Sequence, residues 1–142
     1  MPSQEGKTCI TVKIVLASYI AFRLYSAMAW SVNFHPAFDA EFNAYDEALQ
    51  DAILVHLQLL EHVGPSLGRP HVDTLNGSKH ANMKELRFKA EGGVWRIAFA
   101  FDPNREAVVL VGGDKSGGSE TRFYKTLIKK ADDRYDSYLS DL

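Results

Sequence analysis

The order of apolar and polar positions predicts a strand followed by helical structure in the first part of the chain. Apolar and polar residues alternate over residues 30–34, which is the period of a strand. Pro36 ends this strand and fits the first turn of a helix. Apolar residues then recur every three or four positions, with a break near Asp46 and an end at Gly64-Pro65, which predicts one helix or two in sequence. This apolar face consists of Phe38, Phe42, Tyr45, Leu49, Ile53, Leu57 and Leu60.

The second part of the chain predicts three strands and a last helix. Residues 66–81 contain glycines and a proline with little periodicity and are predicted to form a loop. Two strands, one around Leu86 and one over residues 94–101, are joined by a hairpin turn at Glu91-Gly92-Gly93. The remaining elements are a turn at 102–105, a strand at 107–111, a flexible glycine loop at 112–118 and a helix from Phe123.

This element order predicts an α+β fold, in which an N-terminal strand and two helices pack on an antiparallel sheet and a helix ends the chain. The helices are expected mainly on one sheet face, against the stripe of Trp95, Ile97, Phe99 and Phe101, because the fold needs an apolar layer between helices and sheet. The chain of 142 residues is long enough for one domain with its own core and leaves little room for a second.

Residues 1–27 differ from the rest of the chain. A polar start precedes a short apolar run over residues 14–22, and the small residues around Met28 resemble a signal-peptidase site. Glu5 and Arg23 do not fit a secretory signal, so we favour Met28 as the true start of the domain, with residues 1–27 as an over-extended reading frame. An additional strand or helix that packs on the domain is the third interpretation. We therefore divide the chain into an extension, 1–27, and a domain, 28–142.

The net charge of -2 conceals a segregation along the chain. Residues 31–68 contain six acidic residues and no Lys or Arg. Residues 69–130 contain twelve basic and seven acidic residues, a net charge of +5. A protein that is acidic as a whole can thus carry a basic surface suited to phosphate, although the same charges can also simply solvate a surface.

Several function classes lack support in the sequence. A single cysteine excludes an intrachain disulfide framework and a zinc site built from several cysteines, and agrees with a cytoplasmic protein. The histidines have no metal-ligand spacing, and the Gly112-Gly113 segment lacks the spacing of a phosphate loop. No apolar run is long enough for a membrane span. We expect no metal, no small-molecule cofactor and no membrane partner.

Two arginines give the strongest indication of function. Arg87 and Arg96 lie almost equally far from the hairpin turn, so they are expected to meet across adjacent strands on the face opposite the apolar stripe. Neighbouring cations repel each other unless an anion joins them. That anion is either Glu85, in a structural salt bridge, or a bound phosphate, which the planar fork of arginine binds in two places. Flanking segments complete a basic pocket that contains a phenol: Lys84, Lys115, Arg122, Tyr124 and Lys125.

The order of several short motifs, spread from Met28 to Leu142, resembles the phage-derived, HigB-like branch of the RelE/ParE toxin superfamily. No single motif is diagnostic, and their order and spacing carry the resemblance. The motifs are Leu67-Gly68-Arg69-Pro70, Leu75-Asn76-Gly77-Ser78, Lys84-Glu85-Leu86-Arg87, Trp95-Arg96-Ile97-Ala98-Phe99-Ala100-Phe101-Asp102, Leu110-Val111-Gly112-Gly113-Asp114-Lys115 and Phe123-Tyr124-Lys125 before Ala131-Asp132.

The resemblance implies a type II toxin that cleaves mRNA, usually on the ribosome, and a cognate antitoxin with a helix-turn-helix domain. Carried over by position, the catalytic set is Arg87, Arg96, Lys115 and Tyr124. The basic residues expected to contact RNA are Lys79, Lys84, Arg122 and Lys125. The sequence lacks the C-terminal histidine of some relatives, which leaves the general acid and base unassigned. Such a set needs no metal, because the RNA 2′-hydroxyl attacks its own phosphate while cations stabilise the negative charge.

Two other functions fit the same resemblance. The superfamily also contains ParE-like inhibitors that bind DNA gyrase, and the fold does not distinguish them from nucleases. An inactive phage-derived protein that keeps the fold only for binding is the third possibility. The basic character of the two central strands favours RNA.

Overall fold

The computed structural model describes residues 13–24 and 29–142, which form four helices and a five-stranded sheet. The elements are α1 (residues 13–24), β1 (Ser31–Phe34), α2 (Pro36–Ala44), α3 (Glu47–Val63), β2 (Val72–Thr74), β3 (Met83–Ala90), β4 (Gly93–Phe101), β5 (Glu106–Asp114) and α4 (Glu120–Ser140). The predicted α+β class is confirmed. Within these described ranges, no helix is both long and apolar enough to span a membrane.

The sheet has the strand order β1-β5-β4-β3-β2. Strands β2 to β5 form antiparallel pairs, as predicted, whereas β1 pairs with β5 in parallel, from Ser31 opposite Glu106 to Phe34 opposite Val109. The predicted antiparallel sheet is confirmed for β2 to β5, and the N-terminal strand β1 adds to its edge in parallel. No short hairpin joins β1 to β5, and a long connection permits a parallel pair.

The predicted break between two helices is confirmed at Asp46, which caps the start of α3. The Asp46 carboxylate accepts a hydrogen bond from the Leu49 amide at 2.9 Å, as expected of an N-cap residue. Gly64 ends the helix with a positive φ of 66°, which glycine adopts without strain. The chain enters the domain at the same end of α3, where the Trp30 amide donates to the Glu61 carbonyl at 3.2 Å.

Helices cover both faces of the sheet, so the expectation of helices mainly on one face is wrong. Helices α2 and α3 pack on one face, where Phe38, Ile53 and Leu60 contact a buried cluster that includes Phe99. Helix α4 packs on the other face. Its contribution to the second buried cluster consists of Leu127, Ala131 and Tyr135, against Met83, Ala98, Ala100, Val108 and Leu110. The small alanines of β4 make that second face apolar too, and they allow α4 to approach closely.

Two predicted loops contain strand residues. The segment 66–81 includes the short strand β2, which pairs with β3 at the sheet edge. Strand β5 continues through Gly112 and Gly113 to Asp114, so the predicted flexible loop begins only at Lys115. Side chains from both sheet faces fill the space above these glycines. A Cβ atom would lie 2.6 Å from Ile97 at Gly112 and 2.9 Å from Phe123 at Gly113.

Most of the N-terminal extension, together with Met28, lies outside the described residues. Helix α1 is described, and every one of its side chains is exposed. The division of the chain at Met28 stays a prediction.

Candidate functional site

The structure places Arg87 and Arg96 directly opposite each other across the β3–β4 hairpin. The tight turn between the strands contains Glu91 and Gly92, both with positive φ, as in the turns that favour two-residue hairpins. This turn fixes the register, and the register brings the two guanidinium groups onto the sheet face that α4 covers. Two cations selected from the sequence are thus neighbours on one surface.

Arg96 is held between the sheet and helix α4. Only 6% of the residue is exposed. Its Nε donates to the Tyr124 hydroxyl at 3.2 Å, and its Nη1 donates to the Trp95 carbonyl at 3.0 Å. These two neutral partners fix the orientation of the Arg96 guanidinium beside α4.

Arg87 forms a salt bridge with Glu85, which is the structural alternative to a bound phosphate. Its Nη1 lies 2.8 Å from Glu85 Oε1 and 3.8 Å from Asp73 Oδ2. Glu85 is 3% exposed, and its other oxygen, Oε2, is buried with no hydrogen-bond partner among the described residues. In the free protein, the anion beside the arginine pair is therefore a carboxylate of the chain itself.

Tyr124 lies at the start of α4, between the two arginines and Lys115. Burial raises the pKa of Tyr124, and the Glu85 carboxylate raises it further, while Arg96 lowers it. The phenol therefore keeps its proton at neutral pH. The Lys115 Nζ lies 5.9 Å from the centre of the Tyr124 ring and 3.1 Å from Glu120 Oε1. Tyr124 is thus the residue of the predicted catalytic set that has Arg96 and Lys115 as neighbours and lines one cavity with Arg87.

A cavity of about 320 Å³ opens beside this cluster. Its lining includes Arg87 and Tyr124 from the predicted set, as well as Arg69, Asp73, Thr74, Leu75, Asn76 and Glu85. Arg69 donates to Asp73 Oδ2 at 2.6 Å and brings a third guanidinium to the rim. Sequence reasoning gave Asp73 and Asn76 no role in the site. The motifs that begin at Leu67 and Leu75 could have pointed to this cavity, because residues of both motifs line it.

The four residues predicted to contact RNA are spread over the surface. Lys84 donates to Thr74 Oγ1 at 3.0 Å, and strand alternation places it on the sheet face opposite Arg87. Lys79 pairs with Asp136, which lies twelve residues, or about 18 Å, beyond Tyr124 along α4. Lys125 is exposed on α4.

Arg122, the fourth of these residues, lines a separate cavity of about 370 Å³. That cavity lies beside Phe123, Gly113 and the glycine loop. The neighbouring residues Phe123 and Tyr124, whose ring centres are 5.3 Å apart, line different cavities. In the described ranges, no group of three or more His, Cys, Asp or Glu residues is arranged to hold a metal ion.

Comparison with known proteins agrees with this fold. Residues 40–136 match a family described as phage derived protein Gp49-like. The chain is 36% identical to "Putative toxin HigB2" of Mycobacterium tuberculosis, over 96% of this chain and 64% of that protein. It is 43% identical to "Putative toxin HigB3" of the same organism, over 74% of this chain and 90% of that protein. The chain thus spans slightly less than two thirds of HigB2 and most of HigB3.

One solved structure shares the fold. The E. coli toxin RelE, in the free state of a double mutant, aligns with a TM-score of 0.51 and covers 72% of this chain and 97% of the RelE chain. The sequence identity of 12% limits this likeness to the fold. The family match over residues 40–136 and the 43% identity to HigB3 show that the chain, which has the fold of RelE, belongs to the Gp49-like family of phage-derived proteins and is of HigB type.

Proposed function

We propose that this protein is the toxin of a type II toxin–antitoxin pair and that it cleaves mRNA on the ribosome. The observation that carries the proposal is the pairing of Arg87 with Arg96 beside the Tyr124 phenol. Such a set can bind a phosphate through two planar forks. Two proteins to which the chain is similar, HigB2 and HigB3, are named as putative toxins, which supports the proposal.

The chemistry follows from the charges at the site. The RNA 2′-oxygen attacks the adjacent phosphorus, the bond to the 5′-oxygen breaks, and a cyclic phosphate remains. Negative charge grows on the phosphate oxygens during this step, and preorganised cations stabilise it. Arg96 is already fixed by Tyr124 and Trp95, so little reorganisation is needed when the substrate arrives. Lys115 adds positive charge from the end of β5.

Three partners follow from this function. The substrate is mRNA on the ribosome, which places the protein in the cytoplasm. The toxin has a cognate antitoxin with a helix-turn-helix domain, which inhibits it by covering the arginine site or by blocking entry to the ribosome. Helices α2 and α3 are poor candidates for the RNA-binding surface, because their acidic residues would repel phosphate.

The test is controlled expression followed by mapping of transcript ends. New mRNA 5′ ends within minutes of induction support the endonuclease. DNA damage linked to gyrase, with intact messages, would replace it with the ParE-like alternative. Normal growth and intact messages would indicate a protein that has kept only the fold.

A further inference from the structure

Glu85 is an ion-pair partner whose carboxylate also lies close to the Tyr124 hydroxyl, where it raises the pKa of the phenol. It lies on β3, two positions before Arg87 and on the same sheet face, and it lines the 320 Å³ cavity. One carboxylate oxygen accepts from Arg87 at 2.8 Å. The other is buried without a hydrogen-bond partner among the residues described. A buried acceptor in this state is costly, and a donor that enters the cavity would relieve the cost.

On the basis of the proposed endonuclease function, we propose that Glu85 is the general base of the reaction and Tyr124 the general acid. The 2′-hydroxyl of the RNA gives its proton to Glu85 as the 2′-oxygen forms its bond to phosphorus. The bond between phosphorus and the 5′-oxygen breaks, and the 5′-oxygen takes the proton of the Tyr124 phenol. The products are a 2′,3′-cyclic phosphate and a 5′-hydroxyl.

The ion pair with Arg87 links the proposed base to substrate binding through geometry. The Glu85 carboxylate is held 2.8 Å from the Arg87 Nη1. A phosphate bound by the same guanidinium therefore brings the neighbouring 2′-hydroxyl of the RNA next to this carboxylate. Glu85 can accept the proton only from a substrate whose phosphate is in place.

Tyr124 has the properties required of the acid. Burial and the neighbouring Glu85 raise its pKa, although Arg96 opposes the shift, so the phenol is protonated when the substrate binds. In the transition state, the positive charge of Arg96 beside the hydroxyl stabilises the phenolate that forms. The protonated Glu85 can then return its proton to the Tyr124 phenolate, which restores both groups for the next turnover.

The test uses Glu85→Gln, which keeps an acceptor for Arg87 and removes the base. Cleavage of a defined message on purified ribosomes should fall by about 100- to 10,000-fold, the usual contribution of a general base. The wild-type rate should decline towards acid pH, and the residual rate of the variant should lack this decline. Binding of ribosomes that carry a message with a 2′-deoxy cleavage site should be unchanged. Glu61→Gln on α3, a matched loss of charge away from the cavity, should cleave normally.

A substrate with sulfur in place of the bridging 5′-oxygen separates the base from the acid. A thiol has a pKa of about 8.5, so a thiolate leaves without an acid. This substrate should restore cleavage by Tyr124→Phe but not by Glu85→Gln. If folded Glu85→Gln protein cleaves the normal message at the wild-type rate or faster, Glu85 is only the resting partner of Arg87 and the proposal is wrong. If wild-type protein cleaves no message at all, the proposed function fails and the role of Glu85 fails with it.

Discussion

Replacement of Arg96 by lysine is the most informative single change at the phosphate site. Arg96 uses two N–H groups to hold Tyr124 and Trp95, and a guanidinium has five. The remaining N–H groups are oriented by these two bonds, so they can meet a phosphate without further ordering. Lysine keeps the charge but has no planar fork, and it cannot hold Tyr124 and Trp95 while it also binds phosphate.

The expected loss follows from the donors removed. Loss of one donor that stabilises a transition state costs about 2.7–4 kcal/mol, or about 100- to 1,000-fold in rate. Arg96→Lys should therefore cleave ribosome-bound message at least about 100-fold more slowly than wild type. Arg96→Ala should be no faster and should also be less stable by about 1–3 kcal/mol, because it removes a side chain that is only 6% exposed and leaves the Tyr124 hydroxyl and the Trp95 carbonyl without their donor.

The assay is single-turnover cleavage of a labelled message on purified ribosomes, with circular dichroism to confirm folding. Lys89→Ala is the matched control, since Lys89 is an exposed basic residue of the same hairpin. Arg87→Ala should lose a similar amount, and the double variant should be barely worse than either single variant, because both side chains serve one phosphate. A folded Arg96→Lys protein with the wild-type rate would refute this assignment of the site.

Further predictions concern stability, pH, salt and the N-terminus. Tyr138→Phe should lower the free energy of unfolding by about 1–3 kcal/mol in urea titrations, because it leaves the buried Asp102 carboxylate without the hydroxyl 2.6 Å away. Hydrogen bonds from Lys79 and then His80 hold the pKa of Asp136 below its usual 3.8. These contacts therefore stabilise the fold fully above pH 3.8, and their contribution is lost as the pH falls through the lowered pKa of Asp136 in the folded protein. Amide exchange in the 75–82 loop should rise in that acid range and not at pH 6. Binding of purified toxin to ribosomes should weaken as salt increases, and a salt-independent affinity would argue against phosphate contacts. A chain that starts at Met28 should fold and cleave like the full chain, because the α1 side chains are exposed; insoluble or inactive shortened protein would show that residues 1–27 are structural.

The sequence predicted the arginine pair because local rules determine it. A hairpin turn fixes the register of its two strands, and the count of residues from the turn then places Arg87 opposite Arg96. The break at Asp46 was predictable for the same reason, since an N-cap depends on the residues next to it.

Features that depend on tertiary packing were not predictable. Gly112 and Gly113 are typical of a loop, yet they continue β5 because Ile97 and Phe123 occupy the space of their missing side chains. Likewise, the alternation in β4 predicts that Arg96 lies on the sheet face opposite the apolar stripe. The alternation does not show that α4 covers the face of Arg96.

The spread of the predicted RNA contacts has a similar cause. Lys79 and Lys84 are close to Arg87 in sequence. Lys79, however, pairs with Asp136 towards the far end of α4, and Lys84 lies on the opposite face of the sheet. Charge counted along the chain therefore did not show which basic residues lie together, whereas strand register placed Arg87 opposite Arg96.

The chemistry of the cleaved ends tests the central claim most directly. Purified protein is added to ribosomes that carry a defined message, and the ends of the fragments are identified. We predict a 2′,3′-cyclic phosphate on the upstream fragment, a 5′-hydroxyl on the downstream fragment, and no cleavage when the 2′-hydroxyl at the cleavage site is replaced by hydrogen. Fragments with 5′-phosphate ends, or cleavage that persists in the 2′-deoxy message, would contradict the account.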